Sequence, residues 1–270
     1  MRKRDAAVIR MAAGGNGRSI RARRSRLRKT PLRREGKSMQ AIRAKGEKLF
    51  LLSHNYGPEG SPGCFNYTDK AVLECYYHKS IFGDFQFSGA LRPDILRPFM
   101  PSEGFVSGAA SADCPRGERC IQCCVDSSRL MEVFFVLVGL LPDAVSMVME
   151  EIVSRGKPRA YQNDRMEKVI ATSRLVDFED FFIGDGFSGI GFFSDETDEE
   201  IFADEHKLIY IYTRSQEKYI DALRSFALAQ AKRLSLISEY PHIHFRTSGL
   251  GARKADLKRA FCLESCAVSE

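Results

Sequence analysis

The chain has 270 residues, of which 44% are hydrophobic and none is Trp, and it holds 41 Lys+Arg against 35 Asp+Glu. That composition supports a sizeable core and excludes collagen-like or low-complexity architectures. The net charge of +6 hides a polarity: residues 1–48 carry 17 Lys/Arg and three acids, which leaves 24 basic and 32 acidic residues for the other 222.

Met1 to Lys48 reads as a basic arm, with Arg21, Arg23, Arg24, Arg26, Arg28 and Lys29 almost back to back. Like charges this dense repel one another and bury nothing, so the arm is predicted to be disordered. Clustered Arg neutralises phosphates and releases counterions, which points to sequence-independent binding of nucleic acid. The arm has no aromatic residue to stack on bases, so base-specific reading is not implied. Residues 49–130 show weak periodicity, are interrupted by Pro93, Pro98, Pro101 and Pro115, and are expected to be irregular. Their erratic pattern admits a biological start at Met100 or Met131. The eight cysteines are dispersed and no apolar stretch follows the N-terminal charges, so the chain reads as intracellular and cytoplasmic.

From Met131 the periodicity sharpens, and an α+β domain is predicted over 131–248. Leu130–Leu141 is apolar but shorter than the roughly 20 residues of a membrane span, so it reads as a core element and no membrane contact is expected. Ala144–Ile152 fits a strand or a helix. Phe178, Phe181 and Phe182 share one face of a short helix, and Asp185-Gly186 marks a turn. Ser188–Ser194 reads as a buried strand. Lys207–Thr213 reads as a central one, with Ile209 and Ile211 on one face and Leu208, Tyr210 and Tyr212 on the other. A helix is expected over 216–231, then two short strands, Leu234–Ile237 and His242–Phe245, around Pro241. Residues 249–270 form a polar tail with at most a short helix near Ala255–Phe261. The fold class that follows is α+β: a small mixed or mainly antiparallel sheet with packed helices, preceded by the disordered arm.

Three segments carry a resemblance: Asp185-Gly-Phe-Ser-Gly-Ile190, Asp204-Glu-His-Lys-Leu-Ile-Tyr-Ile-Tyr212 and Glu239-Tyr-Pro-His-Ile-His244. In order and spacing they resemble a small-domain family of planctomycete bacteria, over about residues 140–246. The resemblance implies a bacterial domain that begins near 131–140. It implies no activity.

The sharpest candidate for chemistry is His242-Ile243-His244. Residues two apart on a strand point the same way, so both imidazoles would share a face. Two histidines on one face chelate a transition metal if a third ligand converges, and His206, Asp204, Glu205 and Glu239 are available in sequence. The bland reading is the polar face of an edge strand. A second candidate is Cys120-x2-Cys123-Cys124, which lacks a second cysteine pair at knuckle spacing. Residues 177–206 hold 11 Asp/Glu and no Lys or Arg, without the ligand pattern of a calcium loop, so they are expected to be solvated. With a credible core and no convergent catalytic set in sequence, the leading reading is a non-enzymatic domain that binds or regulates a protein partner, its cofactor unknown. The alternatives are a metal-dependent hydrolase using His206, His242 and His244, and a nucleic-acid-associated protein working through its arm.

Overall fold

The computed structural model describes residues 39–44, 47–54, 81–93, 100–108, 119–152, 158–240, 242–246 and 249–266, with side-chain detail from residue 81 onward. The predicted nucleic-acid residues Arg21, Arg23, Arg24, Arg26, Arg28 and Lys29 lie outside them, as do Cys64, Cys75 and Cys114. The end of the predicted arm is not featureless. Strands β1 (Met39–Ala44) and β2 (Glu47–His54) form an antiparallel pair whose register runs from Met39 opposite Leu52 to Ala44 opposite Glu47.

The fold is α+β, as the alternation predicts. Two short strands, β3 (Ile81–Phe82) and β4 (Phe85–Gln86), form a hairpin, and β5 (Leu91–Pro93) follows. The main sheet is built from β6 (Gly104–Gly108), β7 (Arg119–Cys124), β8 (Ala144–Ile152), β9 (Pro158–Gln162), β10 (Met166–Glu167), β11 (Ser188–Ser194), β12 (Glu199–Ala203), β13 (Ile209–Thr213) and β15 (Glu264–Cys266). Its order is β15-β9-β8-β11-β12-β13-β7-β6, with β10 beside β8, and each of its strand pairs is antiparallel. A second sheet of four strands has the order β1-β2-β14-β5, where β14 is His242–His244.

The main sheet separates two cores. On one face Ile121, Met147, Met149, Ile190, Phe192, Ile201, Ile209 and Ile211 meet the helices. Helix Leu130–Gly139 supplies Phe134 and Leu137, and its ring contact with Phe182 (4.9 Å between centroids) anchors helix Glu179–Gly184 beneath it. Leu208 and Tyr210 face the other way, into a smaller core with Phe82, Phe85, Phe87, Leu91, Leu234, Leu236 and Ile237. Gly189 and Gly191 of β11 leave room for Phe202: a Cβ on Gly189 would stand 2.5 Å from the Phe202 ring, and one on Gly191 would stand 2.6 Å from it and from the Ile201 carbonyl. The glycines of this stretch therefore serve close packing between strands.

Several predicted boundaries move. Strands β6 and β7, from the region expected to be irregular, extend the sheet past β13. Their signal was hidden because Cys120-Ile121-Gln122-Cys123-Cys124 buries small thiols where strands usually bury branched aliphatics. The helix expected over 216–231 is Glu217–Ser225, closed by Ala227 at φ 57° with its N–H on the Arg224 carbonyl. Leu234–Ile237 makes no strand; its apolar side chains fill the second core and a 3-10 turn begins at Ile237. The expected polar tail contains helix Leu250–Ala260, which buries Leu250, Leu257 and Phe261, and then β15, which pairs with β9. Among the described residues no helix is long and apolar enough to cross a membrane.

Candidate metal centre

Two local structures bring the three histidines together. The first is the β12–β13 hairpin, whose register closes at Ala203 opposite Ile209. Asp204 holds its loop: its Oδ1 accepts the backbone N–H groups of His206 and Leu208, both at 2.9 Å, and its own N–H donates to the Leu208 carbonyl at 3.0 Å. Lys207 takes φ 62° at the tightest point. This short polar turn fixes the direction in which His206 projects.

The second is β14. It is an interior strand, paired with β2 on one side and β5 on the other, so the edge-strand expectation is overturned. His242 stands opposite His54 in β2 and Pro93 in β5, and His244 stands opposite Leu52 and Leu91. The side chains of His242 and His244 project from the same face, two residues apart, and both residues are 0% exposed.

The rings of His206, His242 and His244 lie with centroids 4.9, 4.9 and 4.7 Å apart. One ring nitrogen from each falls within 4.8 Å of the other two. The opposite nitrogens are turned outward onto oxygen. Nδ1 of His242 is 2.6 Å from the Tyr240 carbonyl, and Nδ1 of His244 is 2.5 Å from the Gly186 carbonyl. Nδ1 of His206 is 3.2 Å from Asp204 Oδ2, and Glu205 Oε1 stands at 4.0 Å. A carbonyl only accepts, so Nδ1 of His242 and of His244 each carry the hydrogen. Their Nε2 atoms, which face each other at 2.8 Å, are then both lone-pair donors in the neutral rings. Two lone pairs at that distance repel unless a cation lies between them.

A proton is one such cation, but burial opposes it at His242, whose pKa falls to about 3, with the charge of His206 adding to the effect. At His206 burial also acts downward, yet Asp204 and then Glu205 outweigh it and the net shift is upward. The lysine next to it, Lys207, is buried with its Nζ on the Ser188 carbonyl at 3.2 Å, and burial lowers its pKa to about 8. Arg246 is matched by the fully buried Asp185 through two contacts of 2.6 and 3.2 Å, with the Ser188 hydroxyl donating to the same carboxylate. The Asp185-Gly186 step is thus more than a turn. Its glycine presses against the backbone just before β5 and just after β14, where a Cβ would meet the Ala90 carbonyl at 2.5 Å and the Phe245 carbonyl at 3.0 Å.

Among the described residues the other candidates do not converge. Alternation on β7 sends Cys123 into the main core and Cys124 into the second, and burial raises both thiols, Cys124 to about 12. In the acidic stretch Glu199 is not solvated: it is 4% exposed and receives Thr213 and Lys218 at 2.6 and 2.8 Å. Sequence reasoning did not assign Asp204, Tyr240 or Gly186 to the histidines they orient, and two of these act through backbone carbonyls, which no side-chain pattern reveals. No family model, curated protein or solved structure matches the chain.

Proposed function

We propose that this protein binds one transition-metal ion of the zinc class through Nε2 of His206, His242 and His244. The observation that carries the proposal is the inward convergence of ring nitrogens whose outward partners are already oxygen acceptors, with two Nε2 atoms 2.8 Å apart. Histidine ligands of metals typically donate the other ring N–H to a carboxylate or backbone carbonyl, which fixes tautomer and orientation. Here His206 has the carboxylate and the other two have carbonyls. Zinc–nitrogen bonds of about 2.0–2.1 Å in a tetrahedron set the nitrogens about 3.3 Å apart, so His242 and His244 need to open by only about 0.5 Å.

Such an ion ties β14 of the smaller sheet to the β12–β13 hairpin of the main one. Three side-chain ligands leave one position of a tetrahedron for water, and that count favours hydrolytic use of the ion as a second reading. The planctomycete resemblance supports the proposal, because its three segments contain Gly186, Asp204, His206, Tyr240, His242 and His244. We include membership of that family, and a bacterial origin, in this reading.

The test is a competition titration of chelator-stripped full-length protein with zinc, alongside thermal melts. One equivalent should bind, and the melting temperature should rise. A ligand present at about 100 times its Kd adds about 2.7 kcal/mol to the stability of the folded state. His242→Ala and His244→Ala should each abolish the effect. Equal uptake by wild type and both variants would place the ion elsewhere and end the proposal.

A further inference from the structure

We propose that a cavity at the β15 end of the main sheet captures a small zwitterionic disulfide and keeps half of it as a mixed disulfide on Cys262. The proposal does not rest on the histidines.

The cavity forms where helix Leu250–Ala260 ends and β15 begins. The chain turns at Cys262, which takes φ 50°. Its N–H reaches the Arg259 carbonyl at 3.1 Å, and the Leu263 N–H reaches the Lys258 carbonyl at 2.8 Å. Strand β15 then pairs with β9, Glu264 opposite Gln162 and Cys266 opposite Ala160. This turn, the end of β9 and Arg174 of helix Lys168–Val176 border a space of about 440 Å³. Ligand pockets span roughly 300–1,000 Å³, so this one suits a molecule of short-peptide size. Its floor is firm. Phe261 is buried in the main core, and Asn163 accepts the Met147 N–H at 2.6 Å and donates to the Met166 sulfur at 3.0 Å.

The lining selects the ligand. Arg174 uses one of its five donors on the Ala260 carbonyl, at 2.9 Å, which anchors the guanidinium at the cavity wall. A guanidinium held this way matches a carboxylate. Asp164 and Glu264 supply the opposite sign for an ammonium, and Gln162 offers an amide. Charges of both signs around one small space favour a zwitterion over an apolar or singly charged molecule.

The same space is lined by two free thiols, Cys262 and Cys266. Exchange requires access to the attacked sulfur, and Cys262 is the exposed member of the pair, whereas Cys266 is half-buried. Cys262 is therefore the nucleophile. Its thiolate attacks one sulfur of the bound disulfide, so the Cys262–sulfur bond forms as the ligand's own S–S bond breaks. The departing half leaves as a thiolate and takes up the proton that Cys262 gave to solvent. One disulfide is consumed and one is made, so no further oxidant is needed. Reversible caps of this kind fall on accessible cysteines that often stand beside a second thiol, a place that Cys266 fills.

The test exposes reduced full-length protein to oxidised glutathione and, in parallel, to the neutral hydroxyethyl disulfide. Peptide mass mapping follows each cysteine, and the same pair of reactions in urea gives the preference of Cys262 without a cavity. Folded protein should favour oxidised glutathione at Cys262 over that baseline by about fivefold, the factor one ion pair supplies. Arg174→Gln keeps a donor for the Ala260 carbonyl, so it should erase the excess and leave the rate with the neutral reagent unchanged. If that variant slows both reagents, Arg174→Lys decides, since the retained charge must retain the excess and its loss would overturn the proposal. Equal preference in folded and unfolded protein would also overturn it, as would modification that spares Cys262. An excess that survives Arg174→Gln would refute recognition by charge.

Discussion

Asp204→Asn separates the two tasks of one carboxylate and gives the most direct check on how the centre is held. Oδ1 caps the hairpin through two amides at 2.9 Å, and Oδ2 orients His206 at 3.2 Å. The carboxamide keeps an oxygen for the two amides, so the turn survives. Its NH2 group then faces Nδ1 and is a donor, so Nδ1 must become the acceptor and the ring hydrogen must move to Nε2. His206 thereby loses the lone pair that it directs at the centre. Loss of such an orienting partner typically costs 10–100-fold in metal affinity, or about 1.4–2.7 kcal/mol. The assay is zinc affinity by competition with a chromophoric chelator, paired with melting of the metal-free protein. Affinity should fall by one to two decades while the metal-free melt stays within about 1 kcal/mol of wild type. Unchanged affinity would refute the orienting role. An early metal-free melt would show that the substitution broke the hairpin instead.

Three further outcomes are expected. Gly186→Ala should weaken zinc binding by at least tenfold, since a Cβ 2.5 Å from the Ala90 carbonyl forces apart the backbone that holds His244; competition titration reads it, and tight binding would contradict the packing argument. Ile209→Ala, at a fully buried position facing the helices, should cost on the order of 2–5 kcal/mol in chemical denaturation, whereas a loss below about 0.5 kcal/mol would make β13 peripheral. Burial alone would raise the pKa of Glu199, but Lys218, Thr213 and Thr197 outweigh it and lower the value below 4.5. Its contribution to stability is therefore full above the ordinary glutamate range and is lost as pH falls through the lowered value. The gap in melting temperature between wild type and Glu199→Gln should close as pH drops from about 6 to about 3, and a gap that persists would contradict the pairing.

Helix Glu179–Gly184 and strand β13 were legible because one period dominates each of them, whereas β9, β10 and helix Lys168–Val176 were not anticipated. Ile209 and Ile211 alternate with Leu208 and Tyr210, and the two sets fall into separate cores. Phe178, Phe181 and Phe182 recur at helical spacing, and all three are buried. The elements that were missed lack such a period. Helix Leu250–Ala260 reads as polar because six of its 11 residues are Gly, Arg, Lys or Asp, yet Leu250 and Leu257 are buried with Phe261 just beyond its end. Strand β7 is built on Cys and Gln, which carry little strand preference, and takes its place from its neighbour β13. In both cases tertiary contact decides the conformation, and a local window does not contain it.

The histidine cluster shows the same division within one site. The pair His242 and His244 was visible because a strand's period of two is local. Their meeting with His206, 36 residues earlier in the chain, was not, since it depends on β14 lying between β2 and β5 and on where the β12–β13 hairpin ends. The bland alternative failed on the same point. A polar face is tolerable on an edge strand because water satisfies it, whereas β14 is flanked on both sides and its two histidines are fully enclosed. Enclosure converts polarity from a neutral feature into a cost that must be met by partners. For each Nδ1 those partners are in place, two of them backbone carbonyls supplied by Gly186 and Tyr240. What remains is the inward set of ring nitrogens, whose mutual repulsion a bound cation would turn into attraction.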